Sequence, residues 1–185
     1  MVEPLRFEHV DQWDRWLAEH HRDPEGAWVL IGKKGTKKPS ITLAEAAEVA
    51  LCYGWIDSIR KSVDGDFFVQ KYSPRRPKGS WSQVNVQRAE ALMAAGRMRP
   101  PGLAEVDAAK ADGRWAAAYE PQRNATVPPD LAAALAANKP ARESFERLGK
   151  TDRYLVTLPL LKAHTPQLRS ARLRKIIDDL AAGKE

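Results

Sequence analysis

From Lys71 to Ser82 the chain reads Lys71-Tyr72-Ser73-Pro74-Arg75-Arg76-Pro77-Lys78-Gly79-Ser80-Trp81-Ser82, its densest run of residues suited to holding an anion. Pro74 and Pro77 fix φ on either side of Arg75 and Arg76, which lowers the entropy lost when those side chains are ordered. Guanidinium forks grip phosphate, carboxylate or sulfate through parallel hydrogen bonds. A helix starting after Ser80 adds free amides and the positive end of its dipole, and Trp81 is placed to stack on a ring. The competing reading is a clamp, in which Arg75 and Arg76 pair with Asp57, Asp64 or Asp66 and tie the loop to a neighbouring hairpin.

A second constellation is Gly54-Trp55-Ile56-Asp57-Ser58. Strand alternation puts Trp55, Asp57 and Ile59 on one face. A carboxylate buried beside aromatics needs a partner, for which Arg60, Lys71 and Arg75 are candidates, and a desolvated Asp57 would suit general acid or base chemistry. Asn85 and Arg88, one helical turn apart, extend the same region. The expected ligand set is therefore Trp55, Arg75, Arg76, Lys78, Ser80, Trp81, Ser82 and Asn85, with Asp57 the candidate catalytic group.

Other chemistries find less support. His9, His20, His21 and His164 lack the spacing of a helix-borne zinc site, and one cysteine, Cys52, excludes an internal disulfide and a thiolate zinc cluster, so no metal or cofactor is expected. Gly-x-Ser-x-Gly, phosphate-loop and dinucleotide fingerprints are absent from the sequence.

These residues need elements to position them. Asp11 is placed to cap a helix burying Trp13, Trp16 and Leu17, and Ala27–Gly32 reads as a central strand. Thr42-Leu43-Ala44-Glu45 has capping-box spacing for a helix that stops at Gly54. Two strands, 55–60 and 67–72, flank Val63-Asp64-Gly65-Asp66, where Asp-Gly favours a positive-φ reversal. Ser80-Trp81-Ser82-Gln83 has the same box spacing, placing a helix over 81–95, and Pro100-Pro101-Gly102 opens the next. The stretch from Glu120 to Pro129 carries three prolines and no periodicity, which reads as a linker. Helices are expected over 130–137, 140–148, 152–163 and 166–182, with a break or kink at Pro159. The fold class is α+β: a small, mostly antiparallel sheet packed by helices over 1–120, then an all-helical module over 126–185.

The 185 residues carry a formal charge of +6. Residues 61–100 hold eight basic and three acidic side chains against eight and ten in 1–60, so the surplus sits around the basic loop. That favours an anionic partner. Lys33, Lys34, Lys37 and Lys38 form an exposed basic loop, relevant to nucleic acid if it shares a side with Arg75 and Arg76. No leader-like start and no long apolar run is seen, from which a soluble cytoplasmic protein without a membrane span is expected.

Gly54-Trp55-Ile56-Asp57-Ser58, the stretch Tyr72–Asn85 and Gly96-Arg97-Met98-Arg99-Pro100-Pro101-Gly102 resemble the signature stretches of the YdeI/OmpD-associated, or bacteriocin-protection, family, a likeness that covers nearly the whole chain. The family's C-terminal stretch Ala-Lys-x-Pro-Glu-Thr-Arg-x-Arg-Arg-Ile corresponds to Ala163–Leu173. There Arg169 and Arg172 match, while His164, Gln167, Leu168 and Ala171 replace a lysine, a glutamate, a threonine and an arginine. The resemblance implies a role in stress or antimicrobial-peptide tolerance and carries over no catalytic residue. It also implies, for some members, a periplasmic location, at odds with the leaderless start read here.

The reading is thus a non-enzymatic protein binding an anionic small molecule or an acidic protein surface through Arg75, Arg76 and Lys78. The alternatives are an enzyme on a small anionic substrate, with Asp57 as acid or base, and a nucleic-acid binder.

Overall fold

The computed structural model describes residues 3–184. The chain divides into two compact units. One holds the chain up to Gly79 together with Gln87–Ala111, and the other holds Ser80–Val86 and the chain from Asp112 on. The helical half thus includes the earlier segment Ser80–Val86.

In the first unit, strands β1 (Leu5–Arg6), β2 (Ala27–Gly32), β3 (Trp55–Ser62) and β4 (Phe67–Pro74) form one sheet in the order β1-β2-β4-β3. β1 is parallel to β2; the other two pairings are antiparallel, as the α+β reading requires. β2 alternates as its sequence dictates, burying Ala27, Val29 and Ile31. The β3–β4 hairpin forms where expected but by another device. Asp64 Oδ1 accepts from the amides of Asp66 and Phe67, both at 2.8 Å, while Gly65 keeps a negative φ. The aspartate side chain makes the reversal.

Helix α1 (Val10–His20) buries Trp13 and Leu17. It starts before Asp11, because Gln12 Oε1 accepts from the amides of Glu8 and His9 and caps the helix from inside. Trp13 is the centre of an aromatic core, with ring centroids 5.3 Å from Phe7, 5.8 Å from Tyr72 and 6.3 Å from Trp55. Its indole N–H donates to the Ala46 carbonyl at 3.1 Å.

Helix α2 (Leu43–Cys52) has the predicted box: Thr42 Oγ1 accepts from the Glu45 amide, and Glu45 Oε2 accepts from the Thr42 amide at 2.8 Å. α2 packs on β3 and on α4 (Pro100–Ala111). That last contact depends on two glycines. Gly54 sits at φ +75°, and a Cβ on Gly102 would lie 2.2 Å from the Cys52 carbonyl oxygen.

Helix α3 (Gln83–Ala94) precedes α4. Its opening turn groups with the second unit, where the Tyr119 amide donates to the Trp81 carbonyl and the Gln83 amide to the Tyr119 carbonyl. Trp81 packs on Trp115, centroids 4.9 Å apart. Helices α5 (Pro129–Ala137), α6 (Lys139–Arg147), α7 (Lys150–Leu161) and α8 (Pro166–Ala181) enclose a core of Leu131, Leu135, Phe145, Leu160, Ile176 and Leu180. Asn138 and Thr165 cap α6 and α8 through the amides of Ala141 and Leu168. α7 runs through Pro159 to Leu161 without a break, and Arg172 Nη1 donates to the Pro159 carbonyl at 2.6 Å. Among the described residues no helix is long and apolar enough to cross a membrane.

Candidate functional site

The residues expected to form one anion site differ in burial and partners. Arg75 is only 7% exposed, and its backbone amide donates to the Gly54 carbonyl at 3.1 Å; Arg76 is exposed. The two guanidinium groups therefore occupy different environments. Arg76-Pro77-Lys78-Gly79 is a tight turn closed by the Gly79 amide on the Arg76 carbonyl at 2.9 Å, with Lys78 at φ +59°. Proline second and a left-handed residue third is type II geometry, so Pro77 shapes the turn. Lys78 is exposed at its tip.

Nor is the helix end vacant. Ser82, two residues past Ser80, does the capping: its Oγ accepts from the Asn85 amide at 3.3 Å. With the Gln83 amide given to Tyr119, two of the first three amides of α3 are satisfied by protein. Ser80 is half-buried, and Trp81 is 1% exposed within its unit's core. Trp55 is equally buried, its indole N–H donating to the His21 carbonyl at 2.8 Å. Both indoles are packing groups, as large aromatics with a polar handle usually are.

Asp57 lies opposite Tyr72 on the edge strand β3, beside a register shift, and is exposed to solvent. The water-poor setting that acid–base chemistry asks of it is not present. Burial, with the Asp57 charge adding, pushes the Tyr72 phenol well above its ordinary value and keeps it protonated. Lys33 Nζ is engaged by Ser62 Oγ at 3.1 Å and by the Asp64 carbonyl. Among the described residues no three His, Cys, Asp or Glu side chains gather as a metal would require.

Two adjoining hollows lie in the second unit. One, of about 340 Å³, is lined by Phe145, Leu148 and Val127 on its apolar side and by Lys150, Arg153, Tyr154, Gln122, Thr126 and Thr157 on its polar side. A shallower groove of about 560 Å³ shares Gln122 and Lys150 with it and adds Arg123, Pro121 and Val84. Neither lining contains a carboxylate.

Local bonds set this shape. Arg153 donates from Nε to the Phe145 carbonyl at 3.1 Å, which also accepts from the Leu148 amide, and from Nη2 to the Glu146 carbonyl at 2.6 Å, adding side-chain bonds to the last turn of α6. Tyr154 Oη donates to the Glu120 carbonyl at 3.2 Å, and Gln122 Nε2 to Thr151 Oγ1 at 3.1 Å, which pins the chain around residues 120–122 along α7. Burial also raises the Tyr154 phenol, so it is a neutral donor at physiological pH. Read as a sequence, Glu120–Pro129 shows only a structureless linker; its basic partner Lys150 lies beyond two intervening helices, and no local spacing signals the pairing.

Family comparison adds the context. Residues 5–105 match the model of a domain of unknown function, DUF8412, and residues 124–183 match the bacteriocin-protection, YdeI or OmpD-associated family. The chain belongs to the DUF8412 family. The YdeI/OmpD-associated resemblance is supported by that second match, over the helical module only. The stretches around Trp55, Arg75 and Gly102 that carried the resemblance fall within the DUF8412 region. No curated protein and no solved structure matches the chain. In this DUF8412 chain the 340 Å³ cavity is built mainly from the YdeI/OmpD-associated segment, whose Arg169 and Arg172 act within the module, on Asp130 and on the Pro159 carbonyl.

Proposed function

We propose that this DUF8412 chain is a non-enzymatic binding protein whose YdeI/OmpD-associated module takes a small organic anion, working in the cytoplasm in stress or antimicrobial-peptide tolerance. The anion site moves from the loop around Arg75 and Arg76 to the cavity and groove that share Lys150. One observation carries the reading: Arg123, Lys150 and Arg153 converge on adjoining hollows lined by no acid. Cations collected without carboxylates raise the local potential for an anion, and the wall of Phe145, Leu148 and Val127 suits the apolar body of an organic one. Arg153 spends two donors on carbonyls, so Lys150 and Arg123 supply the adjustable charge.

The test is a thermal-shift and calorimetric screen of phosphorylated metabolites and small dicarboxylates on the whole chain, with Lys150→Glu and Arg123→Glu beside wild type and Arg76→Glu as the loop control. Stabilisation lost in the first two variants and kept in the third supports the groove. Stabilisation lost only with Arg76→Glu returns the site to the loop, and equal shifts in all four proteins reject both.

A further inference from the structure

One face of the sheet gathers cations over aromatic rings. Register puts Trp28 opposite Lys71 and Leu30 opposite Val69 on β4, with Lys61 of β3 opposite Val69 and Arg6 of β1 beside Leu30. Paired residues share a side, so Arg6, Trp28, Lys61 and Lys71 project together, away from the face that carries Val29, Ile31 and Tyr72 onto the Trp13 core. Lys61 Nζ lies 5.0 Å and Lys71 Nζ 5.9 Å from the Trp28 ring centroid. Phe67, on the same side, carries Arg6 at 5.5 Å and Lys38 at 5.6 Å.

The acids are unevenly shared. Arg6 has Glu8 at 3.8 Å and Lys38 has Asp66 at 2.7 Å, whereas among the described residues neither Lys61 nor Lys71 forms an ion pair. Trp28 is partly exposed between those two lysines. Two ammonium groups held around one indole without a carboxylate repel each other, and an anionic partner relieves that repulsion. A partly exposed ring flanked by cations on a sheet is what a flexible polyanion with aromatic bases recognises: phosphates to the lysines, a base onto the indole.

We propose that this face of the DUF8412 sheet binds single-stranded nucleic acid, with Trp28 as a stacking platform and Lys61 and Lys71 as phosphate contacts. The proposal rests on residues outside the groove around Lys150 and stands or falls separately from it.

The experiment is fluorescence anisotropy of the whole chain with labelled single-stranded oligothymidine and oligouridine over a range of salt, and with a duplex, heparin and polyglutamate as competitors. Single strands of either sugar should bind, weakening steeply as salt rises. Lys61→Ala with Lys71→Ala should lower affinity and reduce the log–log salt slope by about 1.4, the loss of two phosphate contacts. Trp28→Leu should weaken single-strand binding about tenfold and leave the slope unchanged. No binding at low salt, unchanged affinity in Trp28→Leu, or competition by duplex, heparin or polyglutamate as effective as by single strands would each overturn it. Should Trp28→Leu fail to fold, the lysine double variant still decides, since an unaltered slope there overturns the proposal.

Discussion

Arg169 closes a two-point fork on Asp130, Nε to Oδ2 at 2.7 Å and Nη2 to Oδ1 at 2.8 Å, joining the first turn of α5 to the first turn of α8. The same guanidinium reaches the Leu160 carbonyl at 3.4 Å, near the end of α7. Three helices thus meet at one planar group. The arginine that matches the family stretch serves the architecture of the module.

Replacing Arg169 with lysine keeps the charge and loses the fork, so Arg169→Lys should destabilise the module by roughly 1 kcal/mol, tempered by the partial exposure of both side chains. Hydrogen bonding from Arg169 holds the Asp130 carboxyl below the usual carboxylate range. A lowered folded value means stability that is present above the unfolded value, about 3.9, and lost as pH falls through the folded one. The gap in midpoint between wild type and Arg169→Lys in urea titrations should therefore be constant near neutrality and close in acid.

Gly102→Ala should cost roughly 1–3 kcal/mol or more, because its Cβ would stand 2.2 Å from the Cys52 carbonyl oxygen at the α2–α4 contact. Gly65→Ala is the control. Nothing lies within 4 Å of that Cβ and φ is not positive, so it should leave the denaturation midpoint nearly unchanged.

Trp81→Ala should lose roughly 3–5 kcal/mol on chemical denaturation, since it empties a buried contact with Trp115. Arg76→Ala, at an exposed turn position, should stay within about 0.5 kcal/mol of wild type. The reverse order would restore the basic loop as a structural clamp.

Cys52 is 3% exposed, and burial raises its thiol above the ordinary value. Alkylation by iodoacetamide at pH 8 should be slow in buffer and accelerate in urea along the unfolding curve of the first unit. Rapid labelling in buffer would contradict the packing of α2.

Local chemistry is readable in part. The Thr42–Glu45 box and the place of the β3–β4 hairpin each depend on residues a few positions apart. Distant partners defeated the reading elsewhere. β1 is two residues long and exists through its pairing with β2, so no period announces it. Ser80 and Ser82 offer similar capping spacing, and the pairing of Trp81 and Gln83 with Tyr119 selects Ser82. Arg75 and Arg76 are neighbours in sequence yet one is interior and one is not: Arg75 follows the end of strand β4 while Arg76 opens the type II turn. The Lys150 groove joins segments separated by two helices, and only the tertiary fold brings them to one wall.

Because Ser80–Val86 groups with the chain from Asp112 onward, the two units are interlaced along the chain. A recombination event at the prolines near residue 128 would transplant the recognisable helical module while leaving behind Trp81, Trp115 and Tyr119, so the graft would arrive with its aromatic seat missing.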